Sequence, residues 1–90
     1  MNPREWRLLR SWTLKRTGIE LGALLGGPPV QLRTLQRYEI GIYQIPTHIA
    51  EAMWRLSRGA VTPNDFHAVR VEYLRERGEM MEMRPLAAAE

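Results

Sequence analysis

Pro3, Pro28–Pro29, Pro46 and Pro63 divide this chain into short segments, and each stands just ahead of a stretch with helical periodicity. Proline lacks the N–H that a helix interior needs, but at the first helical position that N–H has no partner anyway. A chain punctuated in this way reads as short helices with short connections. No segment alternates apolar and polar residues over a useful strand length. The nearest, IGIYQI at 40–45, is short and interrupted by Gly41, so it reads as a loop with apolar anchors.

The pattern predicts an all-α chain of five helices, at about 3–15, 18–25, 30–40, 46–58 and 63–77. In the first, Trp6, Leu8, Leu9 and Trp12 share one broad face, with Arg4, Arg7 and Ser11 opposite. Thr17 is the expected N-cap of the second, with Glu20 as its capping-box partner. Leu21, Leu24 and Leu25 form that helix's apolar stripe, and Gly26–Gly27 stop it. The third buries Leu32, Leu35 and Tyr38, and the fourth turns Ile49, Ala52, Met53 and Leu56 inward. The fifth opens with Thr62 as N-cap, Pro63 at N1 and Asp65 at N3, and ends at Gly78. Its Phe66, Val69 and Tyr73 can face either the domain core or a second chain.

Ninety residues make one small domain with a thin core. Residues 1–60 read as its helical body, 61–78 as a helix that completes the core or dimerises, and 79–90 as a flexible tail. The EMMEM run at 79–83 reads as a floppy end or a small apolar docking patch. The absence of cysteine excludes a disulfide framework and thiolate metal sites, and fits a reducing compartment. No apolar run approaches the roughly 20 residues of a membrane helix. MNPREWRLLR lacks the apolar centre of a signal peptide. His48 and His67 lie on different helices without metal-ligand spacing, and there is no P-loop, dinucleotide fingerprint or nucleophile elbow. Neither an enzyme, a cofactor nor a metal is expected.

Charge is unevenly spread. Residues 1–60 carry nine basic and four acidic side chains, and residues 61–90 carry four and six. All the cations but Lys15 are arginine, whose planar fork suits phosphate and guanine. In LRTLQRYEIG (32–41), Arg33, Gln36 and Arg37 fall opposite the apolar side, with Thr34 at the edge. Arginine can fork onto guanine O6/N7 and glutamine onto adenine N6/N7, and an α-helix fits the major groove.

The segment TGIELGALLGGPPVQLRTLQRYEIG (17–41) resembles the helix-turn-helix of the phage Cro and repressor (Xre-type, lambda repressor-like) family. Thr17, Leu21, Leu25, Gly26, Tyr38, Glu39 and Gly41 match its pattern, and the likeness runs on through IPTHIAEAMWRLSRGAVTPNDF, so that it covers about residues 8–66. It implies a sequence-specific duplex-DNA-binding regulator, a phage or prophage repressor acting by operator occupancy, homodimeric on DNA, in the bacterial cytoplasm. It implies base reading by Gln31, Arg33, Thr34, Gln36 and Arg37. Phosphate contacts are implied for Lys15, Arg16, Thr17 and Gly18 at the start of the second helix, and for Thr47 and His48 at the start of the fourth. Leu32, Leu35 and Tyr38 would aim the reading helix, and Glu39 would brace it through Arg7 or Arg10. Gly22 stands where the family has alanine, at the expected close approach of the second and third helices. Gly18 replaces a phosphate-binding glutamine. The turn GGPPVQ is longer by about three residues than the usual short one. A rival expectation is an antitoxin-like or polymerase-tethering module that holds a protein partner through residues 61–90.

Overall fold

The computed structural model describes the backbone of residues 1–89 and the side chains of residues 1–78. Among these residues there are five helices and no strand: α1 (Pro3–Leu9), α2 (Leu14–Leu25), α3 (Leu32–Ile40), α4 (Thr47–Leu56) and α5 (Pro63–Ala89). No helix among them is long and apolar enough to cross a membrane. α2 packs on α3 and α4, and α5 closes the other side of both. Trp6, Leu21, Leu35, Ile49, Ala52, Met53, Val61 and Phe66 form the core, so every helix contributes to it.

The first helix is shorter than its periodicity predicts. The chain leaves α1 at Arg10, turns through Ser11 in the left-handed region (φ 59°), and starts α2 at Leu14. Thr13, not Thr17, is the N-cap, and its hydroxyl accepts the Arg16 N–H at 3.0 Å. Thr17 lies one turn inside α2, where its hydroxyl donates to the Thr13 carbonyl at 2.9 Å. The reversal brings Trp12 back onto Trp6, edge to face, with ring centroids 5.4 Å apart.

The expected faces of α1 and α2 change accordingly. Arg7 is buried and Leu8 and Leu9 are exposed. Leu21 is fully buried, while Leu24 and Leu25 remain in contact with solvent. Leu32, expected inside, is 46% exposed. Val30, in the turn before α3, packs against the core instead.

The turn at 26–31 runs back along α2. Val30 N–H donates to the Gly18 carbonyl at 3.0 Å. A methyl group on Gly18 would overlap the Val30 carbonyl. One on Gly22 would overlap the Pro28 carbonyl and lie 2.7 Å from Pro29 Cα. The close approach at Gly22 is therefore between α2 and the turn, not between α2 and α3.

α5 begins as its sequence predicts. Thr62 N–H donates to Asp65 Oδ2 at 2.7 Å, and Asp65 N–H returns to the Thr62 hydroxyl at 3.3 Å. The Met1 ammonium also lies 2.9 Å from Asp65 Oδ2. Partial burial acts to raise the Asp65 pKa. The bonds from the Thr62 N–H, the ammonium and the Thr62 hydroxyl outweigh it, and the carboxyl titrates below its ordinary 3.8. The folded chain thus holds this proton less tightly than the unfolded chain. The stabilisation is fully present above pH 3.8 and is lost as pH falls through the lower folded value. Asp65→Asn is expected to lower stability by on the order of 1 kcal/mol at neutral pH. The gap from wild type should close in acid, as melting curves from pH 2 to 7 would reveal; a gap independent of pH would assign the effect to something other than the carboxylate.

The expected stop at Gly78 is not used. Gly78 keeps a helical backbone and α5 continues to Ala89. A glycine inside a helix costs about 1 kcal/mol relative to alanine, which weakens a helix without ending it. The EMMEM side chains lie outside the described residues. Phe66 is a core residue, not part of a dimer face. Val69 and Tyr73 are half-buried and close over Gly41: a Cβ there would lie 2.6 Å from the Val69 carbonyl oxygen and 3.0 Å from Tyr73 Cβ. Gly41 also has φ 98°, so glycine is required on both counts.

Candidate nucleic-acid interface

α3 is held from three sides. Leu35 is 1% exposed in the core, with Tyr38 packed beside it. Glu39 is buried and takes a two-pronged bond from Arg7, with Nε to Oε2 at 2.8 Å and Nη2 to Oε1 at 3.1 Å. The remaining Arg7 prong donates to the Trp12 carbonyl at 2.9 Å, tying the α1–α2 reversal to the same knot. Of the two candidate partners for Glu39, Arg7 is the one used. Just past the C-terminus of α3, Arg70 Nη1 donates to the Gly41 and Ile42 carbonyls at 2.8 and 2.6 Å. A cation there complements the negative end of the helix dipole. Arg70 was not anticipated from sequence, because its partners are backbone atoms of another element.

So anchored, α3 turns Leu32, Arg33, Gln36, Arg37 and Ile40 to solvent. Thr34 is half-buried at the edge, and Gln31 is the exposed N-cap, whose side chain makes no capping bond. Arg33 and Arg37 form no ion pair among the described residues. The Arg37 guanidinium lies over the exposed Tyr43 ring, 5.5 Å from its centroid. Gln36 borders a cleft shared with Arg4, Arg7, Leu14, Glu39 and Ile40. Arg4 and Tyr43 are therefore neighbours of the polar face that sequence reasoning missed. No helical wheel of α3 alone contains them.

The expected phosphate ligands separate into two groups. Lys15 and Arg16 are exposed in the first turn of α2. Arg16 stacks on Trp12 at 4.4 Å, and Arg10 lies over Trp6 and Trp12 at 5.1 and 5.9 Å. Indole faces hold two cations in place beside free helix N–H groups. Thr17 and Gly18 do not belong here. Both are buried within α2, because the helix begins four residues earlier than the cap at Thr17 implies. Thr47 and His48 are exposed at the start of α4, after Pro46 as N-cap. His48 borders a shallow groove with Leu24, Leu25, Glu51 and Arg55, near the C-terminal end of α2. Lys15 lies at the N-terminal end of α2, and His48 shares a groove with Leu24 and Leu25 at its C-terminal end.

Among the described residues no group of three or more His, Cys, Asp or Glu is placed to hold a metal ion. The surface offers cations, amides and stacked aromatics: it can bind anions and hydrogen-bonding edges. Compared with known proteins, the chain matches no family model, no curated protein and no solved structure.

Proposed function

We propose that the protein is a sequence-specific binder of duplex DNA that regulates transcription as a Cro- or repressor-like helix-turn-helix protein, by occupying an operator. The observation that carries this reading is the exposed face of α3: Arg33, Gln36 and Arg37 outward on a helix whose inner side is fixed by Leu35 and the buried Arg7–Glu39 pair. A reading helix has to be rigid and its hydrogen-bonding groups free, and both conditions are met. Phosphate contacts come from Lys15, Arg16 and the α2 N-terminus on one flank, and from Thr47 and His48 on the other. Gln31 and Thr34 border the reading face. One such helix reads only a few base pairs, so two copies on half-sites about 34 Å apart supply the site length.

Selection of bound sequences from random duplex DNA tests the reading, and a palindromic consensus is the expected result. On that consensus, Arg37→Ala should cost about 1–3 kcal/mol and relax the choice of one base. Lys15→Ala should weaken all sequences alike and reduce the slope of log affinity against log salt by about 1. A chain that enriches no sequence, or whose binding is insensitive to salt, is not a DNA-reading protein.

A further inference from the structure

We infer that Leu32 reads a thymine: its side chain, exposed on the first turn of α3 beside Gln36, contacts the thymine 5-methyl group in the major groove. The inference rests on the DNA-binding reading and adds a base to it.

Leu32 has no structural employment. It is 46% exposed, and it is absent both from the core and from the partly buried residues packed around it. Val30 closes the core at this end of α3, and Leu35 is the residue that points inward. The Leu32 side chain is therefore free to meet a ligand on the first turn of α3. The other exposed apolar residue of α3, Ile40, is exposed to the same extent but lies away from the first turn. It sits at the far end of the helix, in clefts it shares with Leu14 on one side and Val69 and Tyr73 on the other.

Position selects the ligand. Leu32 and Gln36 are one turn apart, about 6 Å along the axis and about 40° around it, so they point at neighbouring base pairs. The first residues of a reading helix are those that meet base edges. Thymine is the only base with a methyl group in the major groove, and an apolar side chain is how that methyl is recognised. Gln36 in the next turn suits adenine. Leucine and glutamine together favour A·T pairs, where Arg33 and Arg37 favour guanine.

The test uses the full chain on its selected duplex, with each thymine replaced in turn by deoxyuridine, which removes only the methyl. Wild type is expected to lose roughly fourfold in affinity at one thymine per half-site, the worth of one buried methyl group. Leu32→Ala should bind the thymine duplex more weakly and become indifferent to that replacement, with unchanged helicity by circular dichroism. The scan on wild type needs no variant, so indifference there overturns the inference even if Leu32→Ala is poorly folded, and Leu32→Gln in the same scan then carries the assignment to Leu32. Indifference of wild type at every thymine overturns the inference, as does full uracil sensitivity in folded Leu32→Ala. In either case a retained effect of Arg37→Ala leaves the DNA reading standing. A chain that selects no duplex overturns both.

Discussion

Glu39→Gln is expected to cost the fold about 3–5 kcal/mol and to lower its melting midpoint by about 12 °C or more. The Arg7 and Glu39 side chains are 10% and 4% exposed, and among the described residues the guanidinium has no acceptors besides Glu39 and the Trp12 carbonyl. Neutralising the carboxylate keeps its shape but leaves a buried cation with a dipole for a partner. A chain of this size has roughly 5–13 kcal/mol of stability in all, so the loss is a large part of it. Arg7→Lys should fail in the same direction, because an ammonium cannot span both Glu39 oxygens and the carbonyl. Replacing both partners, as Arg7→Met with Glu39→Leu, should be much milder than either single change, since no charge is then stranded. Chemical denaturation of the four chains measures this. A Glu39→Gln midpoint near wild type would mean that water reaches Arg7 and that the pair is not a brace.

Gly22→Ala is expected to destabilise by about 1–2 kcal/mol, against the ordinary direction for a helix. Alanine in place of a helical glycine normally stabilises by about 1 kcal/mol. Here the added methyl meets the backbone of Pro28 and Pro29, which cannot rotate aside as a side chain could, and overpacking of that kind costs about 1–3 kcal/mol or more. Gly18→Ala should do the same against the Val30 carbonyl. Gly27→Ala, in the same turn with nothing within 4 Å of its would-be Cβ, should change stability by less than about 0.5 kcal/mol. Melting midpoints of the three variants give the answer. A stabilised Gly22→Ala would mean that the turn does not lie on α2. The turn also fixes where α3 starts. If the chain binds DNA as proposed, these substitutions should change affinity even where some folded protein remains.

Several elements were legible because their signals are local. Thr62, Pro63 and Asp65 spell a helix start within four residues, and the structure uses them so. Gly26 and Gly41 end helices in the left-handed conformation that only glycine adopts readily. The polar arc of α3 followed from its period. The start of α2 was misread for an equally local reason. Thr13 and Thr17 both satisfy the same capping grammar. What chooses between them is the Trp6–Trp12 contact and the bond from Arg7 to the Trp12 carbonyl, which require a reversal between them.

The sequence alone determined the helical class, the helix order, the punctuation by proline and glycine, and the outward Arg33, Gln36 and Arg37. All of these rest on periods and caps within a few residues. The tertiary structure decided what lies inside. A wheel ranks faces by hydrophobicity, but a thin core cannot enclose every leucine. It took Arg7, which Glu39 could neutralise from across the fold, and left out Leu8, Leu9 and Leu32. Beside Leu32 it is Val30 that packs against the core, carried there by a turn that lies on Gly18 and Gly22.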